Sequence, residues 1–177
     1  SAKKYLDTVN KYYSDNNEYF FQNLFDLSQL YNRLGFSENA IELLDQIIDL
    51  NIDSSETAYF YGLLYKAKRY NNIDYLMEYV DLTDDTTRKK LSYWQIIRII
   101  KNDTNNQSLE AELYLKAVNL YDKDYKYLPR LLNGFAWRMT ELGLLLPQAL
   151  EKVNLALKFG QDLKILDTKA EVLWKLG

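Results

Sequence analysis

Apolar residues recur along most of this chain at three- and four-residue spacing, the period of helices that bury one face. Leu24, Leu27, Ser28 and Tyr31 fall on one stripe, and Gly35 follows where a helix would end in the left-handed conformation. A second stripe runs through Ala40, Ile41, Leu44, Ile47 and Ile48. Small residues at Ser28 and Ala40 let two antiparallel helices approach closely, with larger residues filling the space around them. One hairpin cannot bury such a stripe alone, so the pattern predicts a stack in which each hairpin covers its neighbour.

The pattern also repeats. Ala136 to Gly143 aligns with Ala170 to Gly177 at an offset of 34 residues, Ala on Ala and Gly on Gly. Between the N-terminal hairpin and this pair the units are worn. Ala58, Tyr61, Gly62 and Tyr65 suit a first helix, but Arg69 stands at the expected turn glycine. Ile73, Leu76, Met77 and Val80 suit its partner, with Asp74 where a small residue is expected. Trp94 and Ile97 suit another first helix with Arg98 at its small position, and Tyr114, Ala117, Val118 and Leu120 suit the helix after it. Lys3 to Tyr13 reads as the second helix of a preceding unit, and Lys164 to Leu176 as the first helix of a following one. An uncapped last helix would expose its apolar face, so residues 1–177 read as one helical-repeat domain cut from a longer protein.

The residues of the two best-kept units, 21–52 and 129–160, resemble the tetratricopeptide repeat family. Leu24, Leu27, Ser28, Tyr31, Gly35, Ala40 and Leu44 match its pattern in register, and Ile47 stands where the family prefers Ala. Leu132, Phe135, Ala136, Met139, Gly143, Ala149, Val153 and Ala156 match it again, with one extra residue in the turn around Leu144 to Pro147. The resemblance implies an all-α fold, a right-handed α-solenoid of antiparallel hairpins. It also implies a scaffold that binds a protein or peptide in a concave groove lined by the first helices. Carried over by position, the groove residues are Phe25, Gln29 and Asn32; Tyr59, Leu63 and Lys66; Arg130, Asn133 and Trp137; and Trp174. Two readings stand for Trp137 and Trp174: groove lining, or packing against neighbouring helices at the worn joints. The family's clamp for acidic chaperone tails needs Lys and Asn where Phe25, Gln29 and Phe60 stand here, so that clamp is not expected. Asn133 to Trp137 and Leu166 to Gly177 are also similar to helical tails of thioredoxin-like envelope proteins of bacteria. That likeness implies an accessory module of a larger enzyme, positioning substrate or forming a homodimer through exposed terminal helices.

Composition narrows the chemistry. The chain has no Cys and no His, which removes thiol nucleophiles, disulfides, His-based triads and nearly all zinc sites. Carboxylate pairs at Asp84-Asp85, Asp122/Asp124 and Glu38/Glu42 read as helix caps and solvated faces. No EF-hand spacing or Gly-rich phosphate loop occurs, so no catalysis, metal or cofactor is expected of this chain. A net charge of −3 with interspersed signs points away from nucleic acid. Arg88, Lys89 and Lys90, with Arg98 and Lys101 beyond them, read as a solvated helix face. No stretch reaches the ~18–20 apolar residues of a membrane span, and cytoplasm and bacterial periplasm both remain open.

Overall fold

The computed structural model describes residues 17–49, 55–101 and 103–177; the expected helix at Lys3 to Tyr13 lies outside them. Among the described residues the chain forms nine α-helices and no strand: α1 (Asn17–Arg33), α2 (Ser37–Asp49), α3 (Ser55–Tyr70), α4 (Asp74–Leu82), α5 (Thr86–Ile100), α6 (Gln107–Asn119), α7 (Leu128–Leu142), α8 (Leu146–Leu157) and α9 (Leu163–Leu176). The all-α expectation holds. The contacts divide the chain into two compact units, with the boundary between Leu82 and Thr83.

In the first unit each helix packs on the next, α1 on α2, α2 on α3 and α3 on α4. Leu24 and Ser28 of α1 are buried against a core that includes Ala40, Ile41, Leu44 and Ile47 of α2. The Ser28 hydroxyl donates to the Phe25 carbonyl at 2.7 Å, so this small polar residue sits in the core with its donor satisfied. Helix α1 ends at Gly35, whose φ of +85° only glycine adopts without penalty. There the Phe36 N–H donates to the Tyr31 carbonyl at 2.9 Å and the Gly35 N–H to the Asn32 carbonyl at 3.2 Å. The Tyr31 and Phe36 rings meet edge to face across that turn.

The same closure ends α7. Gly143 has φ +67°, the Leu144 N–H donates to the Met139 carbonyl at 3.1 Å, and the Gly143 N–H to the Thr140 carbonyl at 3.3 Å. The extra residue in the following turn is absorbed by Leu145, which takes φ +48° immediately before α8. Helix α3 corrects the expected register at Arg69. It runs past that residue to Tyr70, and Asn71 occupies the left-handed position with φ +50°. The Asn72 N–H then donates to the Ala67 carbonyl at 3.1 Å. Asparagine tolerates this conformation better than other non-glycine residues, and so replaces the missing turn glycine.

In the second unit α5 packs on α6, α6 on α7, α7 on α8, α8 on α9, and α9 back on α7. Both prolines of the chain, Pro129 and Pro147, sit in the first turn of a helix, where a missing N–H costs nothing. Leu132, Phe135, Ala136 and Met139 of α7 are fully buried with Ala149, Val153 and Ala156 of α8. Helix α9 joins this core through Ile165, Thr168 and Val172. Its other face exposes Leu166, Ala170 and Leu173, the residues that the 34-residue offset pairs with buried Leu132, Ala136 and Met139.

Candidate partner-binding cleft

Helices α5, α6 and α7 do not close completely on one another. Asp85 starts α5 by accepting the Thr87 and Arg88 N–H groups at 2.8 and 3.1 Å, which fixes the face the helix presents. That helix buries Ser92, Tyr93, Ile96, Ile97 and Ile100, so Ser92 rather than Arg98 is its buried small residue. Trp94, Arg98 and Lys101 are left along one edge. Opposite them α6 supplies Glu110 and Tyr114, one turn apart, and α7 supplies Gly134, Trp137, Arg138 and Glu141. Together they enclose a cleft of about 470 Å³.

Two residues of α7 leave it open, as a comparison with α9 at the 34-residue offset shows. The 34-residue offset pairs Gly134 with Thr168 and Arg138 with Val172. In α9 both partners are buried as part of the core. In α7 the first position has no side chain and the second carries a guanidinium that needs acceptors. A Cβ added at Gly134 would stand 3.4 Å from the Tyr114 hydroxyl, so the glycine also lets Tyr114 lie close against α7.

Ion pairing holds the floor of the cleft. Glu110 is 0% exposed, and Arg138 donates to it from Nε at 2.7 Å and from Nη2 at 2.9 Å. The same guanidinium reaches the Lys101 carbonyl at 3.1 Å and Glu141 at 3.0 Å. The Glu110 acceptors push the Arg138 pKa above its already high ordinary value, so the cation is permanent. Glu141 accepts the Trp137 indole N–H at 3.1 Å with its other oxygen. A continuous line of hydrogen bonds thus runs from the buried carboxylate to the Trp137 ring, which is 44% exposed at the rim.

The far wall is aromatic. Trp94 donates its indole N–H to the Tyr121 hydroxyl at 3.0 Å and meets the Tyr114 ring edge to face at 4.9 Å. Tyr114 meets Phe135 of the core in the same way at 5.7 Å. Burial, with Glu110 close by, pushes the Tyr114 phenol above its ordinary value and keeps it neutral. A second hollow of about 580 Å³ shares Tyr114 and Gly134 and continues to Tyr125, Tyr127 and Arg130.

Compared with protein-family models, with curated proteins and with solved structures, the chain matches none.

Of the groove residues expected from sequence, Arg130 and Trp137 line these hollows. Asn133 lies between them on α7, half-buried, and its Oδ1 has no hydrogen-bond partner among the described residues. The first unit's residues are placed differently. Phe25 stacks on Phe21 and meets Tyr61 of α3 edge to face at 5.2 Å, so it lies in the seam between α1 and α3. Gln29 and Asn32 are half-buried further along α1, Gln29 beside Tyr65. Exposed Tyr59 leans toward Tyr79 of α4, Leu63 is half-buried, and Lys66 forms an ion pair with Asp45 of α2 at 2.9 Å. Trp174 is 73% exposed on α9 with Lys175 over its ring. Sequence reasoning missed Trp94, Tyr114, Glu110 and Gly134 as cleft residues, and took Arg98 and Lys101 for plain solvated charge. The available signal was the mismatch of Gly134 and Arg138 with Thr168 and Val172. No described helix is long and apolar enough to cross a membrane.

Proposed function

We propose that this chain is a binding scaffold of the tetratricopeptide-repeat type, a right-handed solenoid of helical hairpins that holds a protein or peptide partner. The observation that carries the reading is the cleft between α5, α6 and α7, walled by Trp94, Tyr114 and Trp137. Large aromatic side chains beside Arg are the groups that dominate binding energy at protein interfaces. Trp137 is held by Glu141, and Glu141 by Arg138, so little side-chain freedom remains to be lost when a partner docks. Arg138 is already paired by Glu110, and its charge does not have to be satisfied by the ligand.

Affinity capture from cell extract with the immobilised chain tests this reading. Trp137→Ala abolishes capture of a specific partner while the circular dichroism stays unchanged. Capture that survives Trp137→Ala, or helicity lost with the indole, contradicts it.

A further inference from the structure

The charges that line the cleft are not balanced. Its two carboxylates, Glu110 and Glu141, are both engaged by Arg138. Three further cations line the two hollows, Arg98 on α5, Lys101 just past its C-terminus and Arg130 on α7. All three are exposed, and none forms an ion pair among the described residues. This local excess of positive charge sits on a chain whose net charge is −3, so it is a property of the cleft and not of the whole surface. Among the cations lie the rings of Trp94, Tyr114 and Trp137. From Arg130 to Glu141 the trough follows α7 for about 16 Å, room for about five residues of extended chain.

We infer that the cleft takes an acidic peptide segment with an aromatic anchor: the anchor lies between Trp94, Tyr114 and Trp137, and flanking carboxylates are held by Arg98, Lys101 and Arg130. The inference rests on the cleft being the partner-binding surface. Aromatic walls suit a flat apolar side chain, which stacks or meets them edge on. Unpaired Arg and Lys at the rim attract carboxylates, steer their approach and fix the register of the bound segment. A single-stranded nucleic acid would also find aromatic faces and cations here. Its backbone carries a charge at every residue, however, and would meet the excess acid of the remaining surface.

Selection of random peptides displayed against the full chain supplies the probe. The tightest peptide is then labelled and titrated by fluorescence anisotropy against the wild type, Trp137→Ala and Arg98→Gln/Lys101→Gln, with a labelled oligothymidine in parallel. The selected peptides are expected to combine Asp or Glu with an aromatic residue. Replacing their acids by amides, or using Arg98→Gln/Lys101→Gln, weakens binding on the order of ten-fold at low salt. Peptides that lose affinity in Trp137→Ala but tolerate the amide exchange overturn the inference and leave the scaffold reading standing. No selected peptide, or peptides bound equally by Trp137→Ala, overturn both. Tighter binding of oligothymidine than of any selected peptide overturns the inference in favour of a nucleic-acid site.

Discussion

Arg138 on α7 grips the fully buried carboxylate of Glu110 on α6 through two hydrogen bonds, at 2.7 and 2.9 Å. A buried pair of this kind adds little net stability while intact, but removing one partner strands the other charge. Glu110→Ala is expected to destabilise the chain by about 3 kcal/mol, at the low end for buried pairs because Arg138 keeps some solvent contact. Glu141→Ala, at the exposed end of the line, costs under about 1 kcal/mol but frees the Trp137 indole. Urea unfolding gives the stabilities, and Trp fluorescence anisotropy gives the mobility. Equal costs for the two variants would show that Glu110 is not the anchor.

The turns give a second expectation. Gly143 has positive φ and open space around it, so Gly143→Ala carries a backbone penalty alone, about 1–2 kcal/mol. Asn71→Gly is neutral or slightly stabilising, and Asn71→Ala costs about 1 kcal/mol. Denaturant midpoints of the three variants check the order. A harmless Gly143→Ala would place the helix end elsewhere.

Ala136 and Ala170 align at the 34-residue offset, but Ala136 is fully buried and Ala170 is exposed. Ala136→Leu overpacks the core of α7, α8 and α9 and is expected to cost about 3 kcal/mol. Ala170→Leu changes stability by less than about 0.5 kcal/mol. Similar costs in both variants would contradict the assignment of their faces.

Alkaline pH probes the first unit. Burial, with Tyr61 nearby, pushes the Tyr65 phenol up to about 12 against partial opposition from Gln29 and Arg33. The folded chain therefore holds this proton more tightly than the unfolded chain does. That contribution to stability is complete below pH ~10, where a free phenol begins to ionise, and is lost as pH rises through about 12. Tyr65→Phe flattens the fall in unfolding free energy between those limits. A slope identical to wild type would mean that Tyr65 is solvated.

The fold was legible where one residue type serves one backbone need. Gly35 and Gly143 marked helix ends, and Ser28, Ala40, Ala136 and Ala149 marked close crossings. Asn71 was not legible, because asparagine is common in loops of every kind and only the backbone shows which conformation it takes. Asp85 was readable as a helix start, since a cap acts on its own next turn. Glu110 and Arg138 lie 28 residues apart, and nothing in the spacing says that they meet. The cleft is a property of three helices at once. Arg98 and Lys101 look like ordinary exposed charge until α7 is placed opposite them.

The chain has three tryptophans, two in the cleft and one on α9, so one spectrum of the ¹⁵N-labelled indole N–H groups locates a bound partner. On titration with a selected acidic-aromatic peptide, the Trp94 and Trp137 signals are expected to shift together and saturate at one affinity, while Trp174 stays in place. A shift at Trp174 alone, or saturable binding that moves none of the three, would contradict the cleft as the site of recognition.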